Sequence, residues 1–395
     1  MLTLIKWMST NMSTIIIGRN RKQPQGFSAF IPESFPPTPG IVLYDRLAQK
    51  HAEAMRLIGK LDGYAQVLPD KDFFLLMFIR KDASSSSQIE GTQATMMDAI
   101  EADSKDRGSL LPPDVDDILH YVNALNYGLK RVHEYPFTLR LIKELHKELM
   151  TSARSTHPAY PGEFRKSQNW INGTSPANAK FVPPPVFEMH QSLDDLEKFM
   201  HAEDGYLPLI KAGLLHAQFE TIHPFNDGNG RTGRMLVTMY LWHTKLLEIP
   251  ILYLSSYFKQ HQELYYDRLN GYHADPSRAE EWLEFFLDGV IEIAQSSIET
   301  CGKISKLWQK DMGKAHALGK TSAKSTVELL KNLYKQPIVS ASDVQEWTGF
   351  SRQGSYNAIE RLESLGILVP LKPTTYGQKY IYREYYDIFA DQPAA

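Results

Sequence analysis

Apolar residues return at helical spacing through "YDRLAQKHAEAMRLIGKLDGY", where Leu47, Ala54, Ile58 and Leu61 fall on one face with charged residues between them. That is the pattern of an amphipathic helix lying on a core, and Gly63 reads as its stop. The stretch "DFFLLMFIRKDASSSSQIEG" repeats it, with Phe73, Leu76, Met77 and Ile79 as the buried positions and Gly91 as the end. From about Val115 to Lys245 the period stays near that of a helix and predicts four helices with one interruption, "SQNWINGTSPANAKFVPPP". There, β-favouring Trp170 and Ile171 precede the turn signal Asn172-Gly173, and Phe181-Val182 precede Pro183 to Pro185, which block further ladder pairing. A short hairpin is expected. Residues 20 to 40 carry Pro24, Pro32, Pro36, Pro37 and Pro39 and predict an extended leader that wraps rather than folds.

The last sixty or so residues read as a separate module. "STVELLKNLYKQP" is an amphipathic helix, "SASDVQEWTGF" a short helix stopped at Gly349, and "SRQGSYNAIERLESLGIL" a longer helix. "ILVPLKPTTYGQKYIYRE" forms two strands around Gly377. Helix, short helix, turn, helix and hairpin is the order of a winged helix-turn-helix. The expected architecture is mostly α, with a small β-hairpin in a helical core and an α+β winged helix-turn-helix at the C-terminus. Its divisions are an extended leader at 1–40, an N-terminal helical segment at 41–112, a helical core at 113–300, a linker at 301–322 and the winged helix at 323–390.

Composition narrows the function classes. The chain has 395 residues and a formal net charge of −3, so any nucleic-acid surface must be local, and the winged helix is only mildly basic. A single cysteine, Cys301, excludes an intrachain disulfide and a cysteine-rich zinc site and points to a reducing compartment. Near the N-terminus, Ile15 to Ile17 is too short for a signal core or a membrane span. A cytoplasmic protein with no membrane partner is expected.

The chemistry concentrates in "HPFNDGNGRTGR", His223 to Arg234. Gly228, Gly230 and Gly233 satisfy G-x-G-x-x-G, but a dinucleotide loop must follow a buried strand, and Leu207, Ile210, Leu214, Leu215 and Phe219 upstream recur at helical spacing. A P-loop fails because Arg234 and Met235 follow Gly233 where lysine and a hydroxyl residue are needed, and no kinase motif accompanies it. A helix ending near Thr221 and an apolar helix starting after the glycines leave the N–H groups of Gly228 to Arg231 to converge at a helix N-terminus, an anion site. Arg231 and Arg234, three apart, suit further anionic groups of a ligand with several phosphates. Asp227 is a hard oxygen ligand suited to one magnesium ion, Mg2+, bridging them, and His223 supplies a base near neutral pH. Phe225 reads as core; His216, His243 and His261 read as satisfied or exposed histidines.

The dozen residues from His223 to Arg234 resemble, position for position, the H-P-F-x-[DE]-G-N-G-R-x-x-R motif of Fic-domain proteins. "GEFRKSQNWING" and "FVPPP" resemble the Fic flap region, and residues 20 to 100 the N-terminal segment of a bacterial subfamily that also ends in a winged helix. The resemblance implies a Fic catalytic domain at 113–300 transferring AMP from Mg·ATP to a Ser, Thr or Tyr hydroxyl of a target protein or of itself, with pyrophosphate leaving. It implies His223 as the base, Asp227 as the Mg2+ ligand, and Gly228, Asn229 and Gly230 at the α-phosphate. Arg231 and Arg234 would then hold the β- and γ-phosphates, and the flap residues Trp170, Ile171, Asn172 and Gly173 would dock the target. "SSQIEG" resembles the family's inhibitory [ST]-x-x-x-E-[GN] motif, which gives Ser86 and Glu90 the role of a brake, with Glu90 pairing with Arg234. An alternative keeps the fold but makes the winged helix a DNA-binding regulator whose Fic site senses nucleotide or moves a different group; a homodimer is compatible with either.

Overall fold

The computed structural model describes residues 16–37, 40–41, 45–66, 68, 71–104, 111–151, 160–274, 278–373 and 377–390. The apolar pieces before residue 15 lie outside the described residues. In chain order the elements are β1 (Gly18–Lys22), β2 (Ser28–Pro32), α1 (Asp45–Gln66), α2 (Lys71–Ile89), α3 (Met96–Ala102), α4 (Val115–Glu134), α5 (Leu139–Met150) and α6 (Val186–His201). Then come α7 (Pro208–Ile222), α8 (Asn229–His243), α9 (Ser255–Gln260), α10 (Gln262–Ala274), α11 (Ala279–His316), α12 (Lys320–Lys335) and β3 (Ile338–Val339). The chain closes with α13 (Ala341–Thr348), α14 (Arg352–Ser364), β4 (Val369–Pro370), β5 (Tyr380–Ile381) and α15 (Arg383–Phe389). The fold is mostly helical with small antiparallel sheets. Among the described residues no helix is long and apolar enough to cross a membrane.

The first of two compact units holds the described residues up to Met55, Asn126–Leu246 and Gln260–Ile291. Its centre is α7 and α8. The sequence of α7, "PLIKAGLLHAQFETI", has apolar residues all round, and the helix is accordingly buried on nearly every side. Two glycines let neighbours approach. A Cβ on Gly213 would lie 3.0 Å from both Leu283 and Phe286 of α11, and one on Gly233 of α8 would lie 2.4 Å from the Glu220 carboxylate of α7. Between Val115 and Lys245 the described residues form five helices rather than four. The break between α4 and α5 falls at Pro136, which cannot continue a helix.

Two segments of this unit differ from their sequence pattern. The stretch expected as a wrapping leader forms the antiparallel pair β1–β2, from Gly18 opposite Pro32 to Lys22 opposite Ser28. Its prolines do not oppose this, since Pro24 lies in the connecting turn and Pro32 at the strand end, where a ladder donor is dispensable. Phe30 and Ile31 enter the core, and the Phe30 N–H donates to Val182 O at 2.9 Å. The segment expected as a hairpin closes with one bridge, Ile171 opposite Phe181. Asn172 and Gly173 do turn the chain, at φ 56° and 86°. Beyond them Asn178 Oδ1 accepts from the Thr174 and Ser175 N–H groups at 3.0 and 2.9 Å, a side-chain turn that takes the place of further ladder bonds.

The second unit holds Arg56–Leu125, Leu247–Lys259 and the described residues from Glu292 on. Gly63 does not stop α1, which runs on to Gln66; burial of Leu57, Ile58, Leu61 and Ala65 outweighs the roughly 1 kcal/mol that a mid-helix glycine costs. In α2, Met77 and Ile79 are buried as the pattern predicts, but Phe74 and Phe78 fill the core while Leu76 is half-buried and the Phe73 side chain lies outside the described residues. Gly91 turns the chain after α2 at φ 99°.

The C-terminal elements share this core. Phe74 meets Tyr334 edge-on at 5.2 Å and Phe78 meets Phe389 at 5.1 Å. Arg80 donates to Lys335 O at 2.7 Å and pairs with Asp103, while Ser104 donates to Asp343 at 2.7 Å and Lys379 pairs with Glu101 at 3.1 Å. Residues 301–316, read as linker, continue α11. Beyond it, α12, α13 and α14 stand with an antiparallel sheet of order β3-β5-β4, and α13 begins on a capping box, Ser340 with Asp343.

Candidate functional site

The site grows from the turn between α7 and α8. His223 caps α7 in the left-handed region, at φ 47° and ψ 61°, which costs a residue with a Cβ about 1–2 kcal/mol. Several donors hold it there. Its carbonyl accepts from Arg165 Nε at 3.0 Å and Asn169 Nδ2 at 3.2 Å. Pro224 O accepts from the Arg165 N–H at 2.9 Å, and Phe225 O from Asn169 Nδ2 at 3.0 Å and Asn229 Nδ2 at 2.8 Å. The Asn229 side chain also accepts the Phe225 N–H, at 2.9 Å, so its amide is occupied in shaping the loop.

Asp227 O lies 2.9 Å from His146 Nε2, and His146 Nδ1 accepts the Gly162 N–H at 2.9 Å. A backbone N–H can only donate, so Nδ1 is bare and Nε2 carries the proton to Asp227 O. Burial lowers the His146 pKa to about 4, which keeps the ring neutral at neutral pH. It lies flat on Phe225, with centroids 3.7 Å apart and planes 3° from parallel.

The carbonyls of His223, Pro224, Phe225 and Asp227 are thus all committed to protein donors. The next residues open α8, whose first N–H groups have no partner one turn back. Gly228 caps it at φ 77° and ψ 9°, and a Cβ there would lie 2.8 Å from Met150 Sδ, so backbone and space both require glycine. Arg231 and Arg234 are nearly buried in the first turns of α8, where the helix dipole is positive. Asp227 Oδ1 accepts the Gly228 N–H at 2.6 Å and lies 3.7 Å from Arg231 Nη2. His223 Nδ1 lies 3.9 Å from Glu220 Oε2, beyond hydrogen-bond reach.

Among the described residues no group of three or more His, Cys, Asp or Glu side chains gathers to cage a metal. Mg2+ keeps water and takes substrate phosphates, so the single carboxylate Asp227 fits a magnesium ion arriving with a nucleotide and would not hold one alone.

Trp170 is 39% exposed, and its Nε1 donates to Gly173 O at 3.2 Å; Ile171 forms the bridge and Asn172 the turn. Ser86 is buried in the last turns of α2 and Glu90 is exposed just after it, both in the second unit. His216 is a core histidine, its Nε2 2.8 Å from Tyr265 OH and its pKa lowered to about 3 by burial. Sequence reasoning missed His146, Arg165 and Asn169. Each stands among other polar residues, 54 to 81 positions before its partner in the loop, and no local pattern singles it out from them.

The Fic/DOC family profile matches residues 136–241 and the Fic/DOC family N-terminal profile matches residues 48–130. A protein adenylyltransferase Fic from Aedes aegypti is 30% identical over 157 residues, covering 39% of this chain and 28% of that protein. One from Drosophila grimshawi is 31% identical over 129 residues, 32% of this chain and 24% of that protein. The chain therefore spans about a quarter of the length of these curated relatives. A crystal structure of a Fic family protein from Desulfovibrio desulfuricans G20 superposes with a TM-score of 0.55 at 18% identity over 87% of this chain and 97% of that one, a likeness of fold. The chain thus carries a Fic/DOC family domain at residues 136–241, with the family's N-terminal region before it at residues 48–130.

Proposed function

We propose that this chain is a protein adenylyltransferase that moves AMP from Mg·ATP to a Ser, Thr or Tyr hydroxyl of a target protein or of itself. The observation that carries the reading is the loop before α8, whose carbonyls are bound away by Arg165, Asn169, Asn229 and His146 while the helix N-terminus, Arg231 and Arg234 come directly after it. Such a surface suits a polyphosphate. In the reaction His223 takes the proton of the target hydroxyl, whose oxygen attacks the α-phosphorus. The bond from that phosphorus to the bridging oxygen breaks, and pyrophosphate leaves on Arg231 and Arg234. Asp227 would hold the Mg2+ that neutralises the leaving charge; Gly228, Gly230 and the backbone at Asn229 would hold the α-phosphate. Trp170 to Gly173 would dock the target. The relatives named protein adenylyltransferase Fic support the same chemistry.

Mass spectrometry of the chain incubated with ATP and Mg2+ should find the mass of AMP on a hydroxyl residue, absent when the metal is chelated. His223→Ala should lower transfer by about 10²–10⁴-fold with ATP binding nearly unchanged, because the phosphate contacts lie elsewhere. Wild-type transfer by that variant would overturn the mechanism.

The resemblance of Ser86 to Gly91 to the family's inhibitory motif supports self-inhibition through Glu90. Glu90→Gly should then raise self-modification, by up to about 10²-fold if the brake misplaces the α-phosphate by ~1 Å; a variant no faster than wild type removes Glu90 from any such role. A second reading rests on the α12 to β5 arrangement, with its β3-β5-β4 sheet, which supports a winged helix and a DNA partner. Retention on duplex DNA that weakens steeply with salt would favour it.

A further inference from the structure

Arg165 is 2% exposed and its cation has no carboxylate partner among the described residues. Its guanidinium is instead spread over backbone carbonyls: Nε donates to His223 O at 3.0 Å, Nη1 to Ser167 O at 3.1 Å, and Nη2 to Pro184 O. Its own N–H donates to Pro224 O at 2.9 Å. Burial lowers its pKa to about 10, so it remains a cation at neutral pH. Burying a charge without a counter-ion is costly unless every donor finds a strong acceptor, and only a planar fork can serve three divergent carbonyls at once.

The three acceptors matter by position. Ser167 and Pro184 flank the segment from 168 to 183, and His223 is the left-handed residue that carries the imidazole. Gln168 reinforces the closure by donating to Pro183 O at 2.9 Å, and Asn169 joins the same segment to His223 O and Phe225 O.

We propose that Arg165 is a positioning residue that sets the distance between the target-docking segment and the base, by tying both ends of that segment to the backbone of His223. The inference rests on the reading of His223 as base and of residues 170–173 as the docking segment. Arg165 itself touches neither nucleotide nor target hydroxyl; it acts through His223. A target strand laid on the segment is thereby delivered at a fixed offset from the imidazole. A shift of ~1 Å in that offset is worth about 10²-fold in rate.

The test compares Arg165→Lys, which keeps the charge but can reach only part of the carbonyl set, with Arg165→Gln, which removes the charge. Both should lower kcat for AMP transfer by about 10²-fold while the KM and Kd for Mg·ATP stay within about threefold, since the anion site does not use Arg165. In both, hydrogen exchange at residues 166–169 and 223–226 should accelerate while amides in the middle of α7 and α8 keep their protection. Wild-type kcat in Arg165→Lys would overturn the inference by showing that charge alone suffices. Equal loss of ATP binding and transfer would also overturn it, by making Arg165 a general fold residue. If the wild-type chain binds ATP but transfers no AMP, the functional reading has failed instead, and the exchange pattern alone decides whether Arg165 ties the two segments.

Discussion

Replacing His146 with phenylalanine tests whether a neutral, doubly hydrogen-bonded imidazole holds the anion loop. The substitution keeps an aromatic ring against Phe225 but leaves Asp227 O and the Gly162 N–H without their partner. Both groups are only half-buried, so orphaning each costs at most the roughly 1–3 kcal/mol of a fully buried one, which bounds the loss at about 6 kcal/mol at pH 7. The pH dependence separates this cause from simple repacking. Burial holds the His146 pKa at about 4, against 6.5 in the unfolded chain. The unfolded state therefore binds more protons between these values, and the stability this histidine contributes is complete above pH 6.5 and drains away as the pH falls towards 4. From pH 7 to pH 5 the wild-type chain should lose about 2 kcal/mol through His146 alone, a loss the phenylalanine variant cannot suffer. His216 and His273, also held low by burial, titrate in both proteins and cancel. Urea unfolding at pH 7, 6 and 5 should show the gap between wild type and variant narrowing by about 2 kcal/mol. A gap constant across that range would refute the assignment of a neutral His146 donating to Asp227.

Two further outcomes rest on the glycine geometry and the shared core. Gly228→Ala places a Cβ 2.8 Å from Met150 Sδ on a backbone at φ 77°, so it should cost about 1–3 kcal/mol in thermal or urea unfolding and weaken ATP binding in a calorimetric titration; an unchanged affinity would separate the αL cap from the anion site. Ending the chain after Gly319 strips Tyr334, Tyr385 and Phe389 from Phe74 and Phe78, so the shortened protein should aggregate or expose fluorescent-dye-binding apolar surface; a soluble monomer with native-like melting would show that α2 and α3 do not need the C-terminal elements.

Legible in the sequence is whatever lies contiguous in the chain. The helices show in their own periodicity, and the anion loop in twelve adjacent residues whose glycines, arginines, carboxylate and histidine have no joint use in packing alone. Where sequence and structure part, a distant contact overrides a local signal. Gly63 reads as a stop, yet Leu57, Ile58, Leu61 and Ala65 are buried around it, and the prolines of the leader conceal a hairpin because they occupy its turn and its strand end. The C-terminal residues read as detachable because their own pattern is complete. Nothing in it records that Lys335 O serves Arg80 or that Asp343 caps α13 and binds Ser104 at once.

The same asymmetry separates the residues of the site. Those that would touch a nucleotide must sit on one short turn, because N–H groups converge only where consecutive residues fold back at a helix end. Those that aim the turn need only present one donor to one carbonyl, so they can come from anywhere in the unit. His146 comes from α5, Arg165 and Asn169 from the irregular stretch before α6, and each reaches the loop across more than fifty residues of chain. A motif search therefore finds the atoms that would bind phosphate and misses the ones that hold the loop in shape. The left-handed backbone of His223 is the local trace of the second set, a conformation that the sequence "HPF" does not itself favour and that Arg165 and Asn169 maintain.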